Sequence, residues 1–114
     1  MRISRFEDII AWQKAHLLTV EIYKEFLKCK DFNFRDQIQR ASVSVMNNIA
    51  EGFERGSNAD FKRFLFIAKG SSGEVRSLLY LGLSLGYLSQ KKFDELSALT
   101  LGISRMISGF IKSL

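Results

Sequence analysis

No proline occurs in this chain of 114 residues. Nothing therefore forces a helix to break, because proline is the residue that removes a helical hydrogen bond and clashes with the preceding turn. The apolar residues follow a helical repeat. Leu96, Leu99, Ile103, Met106, Ile107, Phe110, Ile111 and Leu114 recur at steps of three and four, the pattern of a helix with one buried stripe. Hydrophobic residues make up 46% of the chain, and a domain of this size buries roughly two thirds of its unfolded surface. A second domain has no room. The expectation is a single all-α domain over residues 1–114, folded as an antiparallel up-and-down four-helix bundle.

Short polar turns divide the chain into four helical segments, with no linker, repeat or low-complexity tract between them. The first is expected from about Phe6 to Lys28, capped by Ser4 or a neighbour, and ends in the turn Lys28-Cys29-Lys30-Asp31-Phe32-Asn33. The second starts near Asn33, with Asp36 in its first turn to complement the helix dipole, and stops between Gly52 and Gly56. Ser57 or Asn58 caps the third, which runs to about Gly86, and Ser89 caps the fourth. Short loops make neighbouring helices antiparallel.

The first helix carries more apolar surface than one core can cover. Ile9, Ile10, Trp12, Leu17, Leu18, Val20, Ile22, Tyr23, Phe26 and Leu27 leave only a narrow polar strip through Glu7, Lys14, Glu21 and Glu25. That surplus argues for self-association. Lys and Arg outnumber Asp and Glu by 17 to 12, a net charge of +5, which biases the surface toward polyanions without choosing one. With one cysteine, Cys29, and one histidine, His16, neither an internal disulfide nor a Cys/His metal cluster can form. No cofactor is expected. Glu7 and Asp8 interrupt the N-terminal segment where a secretory signal would be apolar. The longest uncharged run, Ser77 to Gln90, is shorter than the ~20 residues of a membrane span. A cytoplasmic protein is the expectation.

The stretch QIQRASVSVMNNIAEGFERGSNADFKRFLFIAKGSSGE, from Gln37 to Glu74, holds small and polar residues at fixed helical spacings. Its order is Gln37, Arg40-Ala41, Ser44, Asn48-Ile49-Ala50-Glu51-Gly52, Arg55, an aromatic run with Phe61 and Phe64, then Ala68, Gly70-Ser71 and Glu74. This resembles the four-helix-bundle proteins first noticed as reading frames inside intervening sequences of bacterial 23S ribosomal RNA genes. Phe6, Trp12, Ala15 and Tyr23 upstream, and Gly86-Tyr87-Leu88 downstream, also fit. Met46 departs from the pattern, since relatives commonly have proline there. The second helix is accordingly expected to be straighter than theirs. Structurally known relatives look like ring-shaped pentamers, so the resemblance implies a homopentamer. Relatives also include accessory proteins of diversity-generating retroelements, which look like basic pentameric barrels associated with a reverse transcriptase and RNA.

Two constellations are candidates for function. Gln37, Arg40, Ser44, Asn47, Asn48, Glu51 and Arg55 share one sector of the second helix. Spacing alone is compatible with a solvated face. The resemblance, which fixes Asn48 and Glu51 in type, implies a structural polar layer of Gln37, Arg40, Asn48, Glu51 and Glu74 between helices or subunits, in which Arg40 can pair with Glu51 or Glu74. On the third helix Lys62, Phe66, Lys69, Gly73, Arg76 and Tyr80 form one stripe of alternating cations and rings. Lys62, Lys69 and Arg76 suit phosphates, and Phe66 and Tyr80 suit unpaired bases. A solvated face partly covered by a neighbouring subunit is the competing reading.

Lys69-Gly70-Ser71-Ser72-Gly73 superficially suggests a phosphate loop, but its glycines do not precede Lys-Ser and no strand comes before it. Gly70, Ser71 and Ser72, like Gly82 and Gly86, are instead expected to let another helix approach closely. No acid/base pair or nucleophile motif stands out, and an enzyme is the weakest reading. The leading one is an oligomeric accessory or scaffold protein that binds RNA or another nucleic acid through a basic surface. Its rival is a protein–protein interaction module with no nucleic-acid role.

Overall fold

The computed structural model describes residues 2–114. Four helices follow one short 3-10 turn: α1 is Ile10–Glu25, α2 is Phe32–Glu54, α3 is Asn58–Ser84 and α4 is Gln90–Ser113. No strand occurs among the described residues. Each of the last three helices has a side-chain cap. Asp31 accepts from the Phe34 N–H, Ser57 from the Asp60 N–H and Ser89 from the Lys92 N–H, each at 3.1 Å. Each bond satisfies one backbone donor that a helix start leaves without a partner.

The first helix begins later than its sequence suggests. Phe6–Asp8 form the 3-10 turn, Ile9 is extended and buried, and no side chain caps α1. The expected cap at Ser4 is therefore not made. The break turns Ile9 into the core and brings Phe6 edge-on to Trp12 at 5.1 Å, while Gln13 Nε2 donates to the Glu7 carbonyl at 2.8 Å. Past Met46, α2 runs on as one helix to Glu54.

The helices pack in a ring: α1 on α2, α2 on α3, α3 on α4 and α4 on α1, while the backbones of α1 and α3, like those of α2 and α4, stay apart across the core. Cross-helix pairs set the directions. Along α3, Phe61, Ser72 and Tyr80 meet Phe110, Ser104 and Phe93 of α4 in that order, which is antiparallel. The centre is filled by Leu18, Ile22, Ile38, Val45, Ile49, Leu65, Leu79, Ile103 and Ile107. Burying such a side chain contributes roughly 1.5–3 kcal/mol. Rings close the two ends, with Phe26, Phe34 and Tyr87 at one and Phe53, Phe61 and Phe110 at the other.

Close approach falls on Gly82, as expected, and on Gly52, which was not expected, but not on Gly70. A Cβ on Gly52 would lie 2.6 Å from Phe64 Cβ, and one on Gly82 would lie 2.8 Å from Phe34 Cζ. No atom comes within 4 Å of a Cβ built on Gly70 or Gly73. Both point away from the bundle, so no helix of the same chain approaches Gly70. Gly86 has another task again. Its φ of +76° ends α3 in the left-handed region, with Tyr87 N–H bonded to the Gly82 carbonyl and Gly86 N–H to the Leu83 carbonyl.

Candidate nucleic-acid interface

Seven residues are nearly two turns of helix, so Lys69 and Arg76 lie on the same side of α3, about 10.5 Å apart along its axis. Arg105 and Lys112 repeat that spacing on α4. The antiparallel packing brings the two pairs together around one groove of about 540 Å³, whose wall and floor also include Gly73, Leu101, Ser104, Ser108 and Gly109. Glycines 73 and 109 keep it open, because neither has a neighbour within 4 Å of its missing Cβ. Beneath the groove Ser72 ties the two helices: its Oγ lies 2.8 Å from Ser104 Oγ and donates to the Thr100 carbonyl at 3.2 Å.

The electrostatics are one-sided. No Asp or Glu lines the groove. Ion pairs among the described residues engage Arg5, Arg35, Arg55, Arg63 and Lys92, and none involves the four groove cations. Four uncompensated charges in a concave site focus a positive potential on it. The groove can therefore hold an anion with more than one charge.

Of the five stripe residues read from the sequence, Lys69 and Arg76 line this groove and three do not. Lys62 is half-buried on the same side of α3, two turns before Lys69. Phe66 is exposed. Tyr80 is exposed as well, with its ring edge against Phe93 at 4.9 Å. Arg105 and Lys112 escaped sequence reading, although their seven-residue spacing equals that of Lys69 and Arg76. The apolar stripe of the fourth helix drew attention away from its polar side.

Most of the polar-layer residues lie on the other flank of α3, at its seam with α2. Gln37, Arg40, Ser44 and Glu74 line a smaller groove of about 320 Å³. Asn48 Nδ2 donates to the Ser44 carbonyl at 2.8 Å and to Ser44 Oγ at 3.0 Å, and Ser44 Oγ lies 2.8 Å from Ser71 Oγ on α3. Within the chain, Arg40 pairs with neither Glu51 nor Glu74 among the described residues. Glu51 pairs instead with Arg55, one turn away, at 3.0 Å, while Arg40 is eleven residues, or about 16 Å of helix, from Glu51. Neither Arg40 nor Glu74 has an ion-pair partner among the described residues. Gln37 donates to Asn33 Oδ1 at 3.3 Å.

Elsewhere the polar chemistry is structural. Tyr87 OH donates to Asp31 Oδ2 at 2.7 Å, joining the α1–α2 turn to the α3–α4 turn. That bond, reinforced by the Phe34 N–H, holds the Asp31 carboxyl below its ordinary pKa. The same bond raises that of the Tyr87 phenol. His16 stacks flat on Trp12 at 5.2 Å. No group of His, Cys, Asp and Glu among the described residues is arranged to hold a metal ion, and no helix of theirs is long and apolar enough to cross a membrane.

The fold is similar to a crystal structure described as a protein of unknown function of the S23 ribosomal protein family from Bacteroides thetaiotaomicron. The TM-score is 0.85 at 26% identity, over 90% of this chain and 96% of that one. No curated protein matches the chain. The sequence itself matches the 23S rRNA-intervening sequence protein family over residues 7–109, nearly its full length. The chain belongs to that family.

Proposed function

We propose that this protein is a non-enzymatic, cytoplasmic, homo-oligomeric accessory or scaffold protein that binds RNA, or another nucleic acid, through the basic groove between α3 and α4. The observation that carries this reading is the set of four cations, Lys69, Arg76, Arg105 and Lys112, around one groove with no acidic residue in its lining. Phosphodiester backbones match it, because they supply repeated negative charges and release counterions when cations replace them. Nothing in the groove reads base edges, so binding is weakly sequence-dependent. Lys62, Phe66 and Tyr80 lie along the same side of α3 and extend the contact beyond the groove, the rings by stacking on unpaired bases. Subunits arranged as a ring of five, as the family resemblance implies, would multiply such grooves on one assembly.

Fluorescence anisotropy with a labelled single-stranded RNA tests this. Affinity is expected to fall steeply with salt, each phosphate contact adding about 0.7 to the logarithmic slope. Changing Lys69, Arg76, Arg105 and Lys112 together to Gln is expected to weaken binding and flatten the slope while the fold is retained. A parent protein that binds no RNA or DNA at low salt, or a quadruple variant that binds as the parent does, would refute the reading. The protein–protein interaction module then becomes the better account.

A further inference from the structure

The seam between α2 and α3 differs in charge from the seam between α3 and α4. Phe34, Ser44 and Gly52 of α2 meet Gly82, Ser71 and Phe64 of α3 in that order, so the two helices are antiparallel and their register is fixed. Arg40 stands four residues before Ser44 and Glu74 three residues past Ser71, which places them within one residue, about 1.5 Å, of the same level. They line one groove of about 320 Å³, Arg40 on its α2 wall and Glu74 on its α3 wall, and are its only charged residues. Neither makes an ion pair with the other or with any described residue. Their own helices offer little. Three and four residues from Glu74 on either side stand Gly70, Ser71, Ser77 and Leu78, none of them a cation. Asp36, one turn before Arg40, pairs with Arg35 at 3.4 Å.

The space between the two charges is lined by small and polar groups. Ala41 is buried at its floor. Towards one end lies Ser44, whose Oγ meets Ser71 Oγ and accepts from Asn48 Nδ2. Towards the other lies Gln37, whose Nε2 is taken by Asn33 Oδ1, so that its carbonyl oxygen is left as an acceptor.

We propose that this groove is a binding site for a small free α-amino acid, held as its zwitterion, with Arg40 taking the carboxylate and Glu74 the ammonium. The site is separate from the basic groove and does not depend on what binds there. Opposite charges on facing walls select the class of ligand. A simple anion drawn to Arg40 is repelled by Glu74, and a simple cation meets the reverse. A dipolar ligand satisfies both at once. The guanidinium fork matches a carboxylate in two parallel hydrogen bonds. A primary ammonium brings three donors, for the Glu74 carboxylate and the oxygen acceptors beside it, whereas a quaternary nitrogen brings none. Size narrows the class further. A groove of 320 Å³ lies at the small end of ligand sites, which run from about 300 to 1,000 Å³, and this suits a short side chain rather than an aromatic one.

Saturation-transfer NMR of the full chain with L-alanine, L-serine and L-glutamine tests the proposal. Two charge-assisted contacts open to solvent are expected to give a dissociation constant of about 1 mM. Arg40→Gln and Glu74→Gln are each expected to weaken binding by about tenfold or more. N-acetyl-L-serine, which lacks the ammonium, and L-serinamide, which lacks the carboxylate, should bind the parent as poorly. The reversed pair Arg40→Glu with Glu74→Arg is expected to recover most of the affinity, because the zwitterion can turn around; a purely structural role for the two charges predicts no such recovery. Both positions are exposed, so the fold is retained, as circular dichroism would verify. No binding of the three amino acids at millimolar concentration, single variants that bind as the parent does, an acetylated ligand that binds as well as the free one, or a reversed pair that recovers nothing would each overturn the proposal. None of these results depends on RNA, whose binding is read separately.

Discussion

Gly52 and Gly70 sit in the interiors of α2 and α3, and by composition alone both are helix-weakening residues. The structure separates them. An alanine at position 52 places its Cβ 2.6 Å from Phe64 Cβ, 3.2 Å from Phe61 Cδ1 and 3.4 Å from the Phe61 carbonyl oxygen. Phe64 Cβ is bonded to the α3 backbone and cannot rotate aside, and carbon pairs need about 3.5–4.0 Å. The two helices must therefore separate locally by about 1 Å. Overpacking costs typically 1–3 kcal/mol, and a clash between backbone-anchored atoms belongs in the upper half of that range. Alanine's better helix propensity returns about 1 kcal/mol. Gly52→Ala is thus expected to lose about 1–2 kcal/mol, whereas Gly70→Ala, with open space around it, gains up to about 1 kcal/mol. Urea unfolding of both variants beside the parent protein measures the two shifts. A Gly52→Ala midpoint at or above that of the parent would refute the close approach of α2 and α3. A Gly70→Ala midpoint well below it would show that another part of the chain covers Gly70.

Tyr87→Phe removes the hydroxyl that principally holds the Asp31 carboxyl low. A carboxyl whose folded pKa is depressed contributes stability above its unfolded pKa and loses it as pH falls through the folded value; a phenol whose folded pKa is raised contributes below 10.0 and loses it as pH rises through the folded value. The variant is therefore expected to lose stability at neutral pH and to flatten both limbs of the stability–pH curve. The Asp31 carboxyl should titrate higher by NMR, and an unchanged Asp31 titration would exclude the bond. Ser72→Ala deletes the hydroxyl bonds to the Thr100 carbonyl and Ser104 Oγ under the basic groove, at an expected cost of about 0.5–1.5 kcal/mol by urea unfolding. Exposed Ser77→Ala is the control, and equal effects of the two changes would mean that the α3–α4 tie contributes nothing.

Local chemistry made much of the fold legible. Ser57 and Ser89 cap the helices they were expected to cap, because a hydroxyl before an apolar repeat has a partner three residues on whatever surrounds it. The second helix was expected from Asn33 with Asp36 in its first turn; it starts at Phe32, with Asp31 as the cap and Asp36 already past the first turn. The second bond of Asp31, to the Tyr87 hydroxyl, comes from 56 residues away and is invisible locally. The same limit explains the glycines. Gly52, Gly70 and Gly82 are alike in sequence, and only the neighbour distinguishes a residue under Phe64 or Phe34 from one facing outward. It also explains the groove, half of which was read on the third helix while Arg105 and Lys112 joined it through the fold.

One helix therefore carries four environments at once, and its composition follows from them. Phe64, Leu65, Ala68, Val75 and Leu79 of α3 are buried in the core. Lys69 and Arg76 face the seam with α4, where the absence of carboxylates leaves their charge uncompensated. Phe66, Gly70 and Leu81 look outward, and Glu74 borders the seam with α2. A helix buried on one side only has a wide polar face for solvent. In α3 that face is divided between cations and apolar or small residues, which is how a helix reads when solvent is not its only other neighbour. The amphipathic repeat is correspondingly blurred in α3 and in α1, the two corners with most of the exposed large apolar side chains. It is clearest in α2 and α4. The weak helical repeat of α1 and α3 thus follows from outer faces that are partly apolar, on two opposite corners of the bundle.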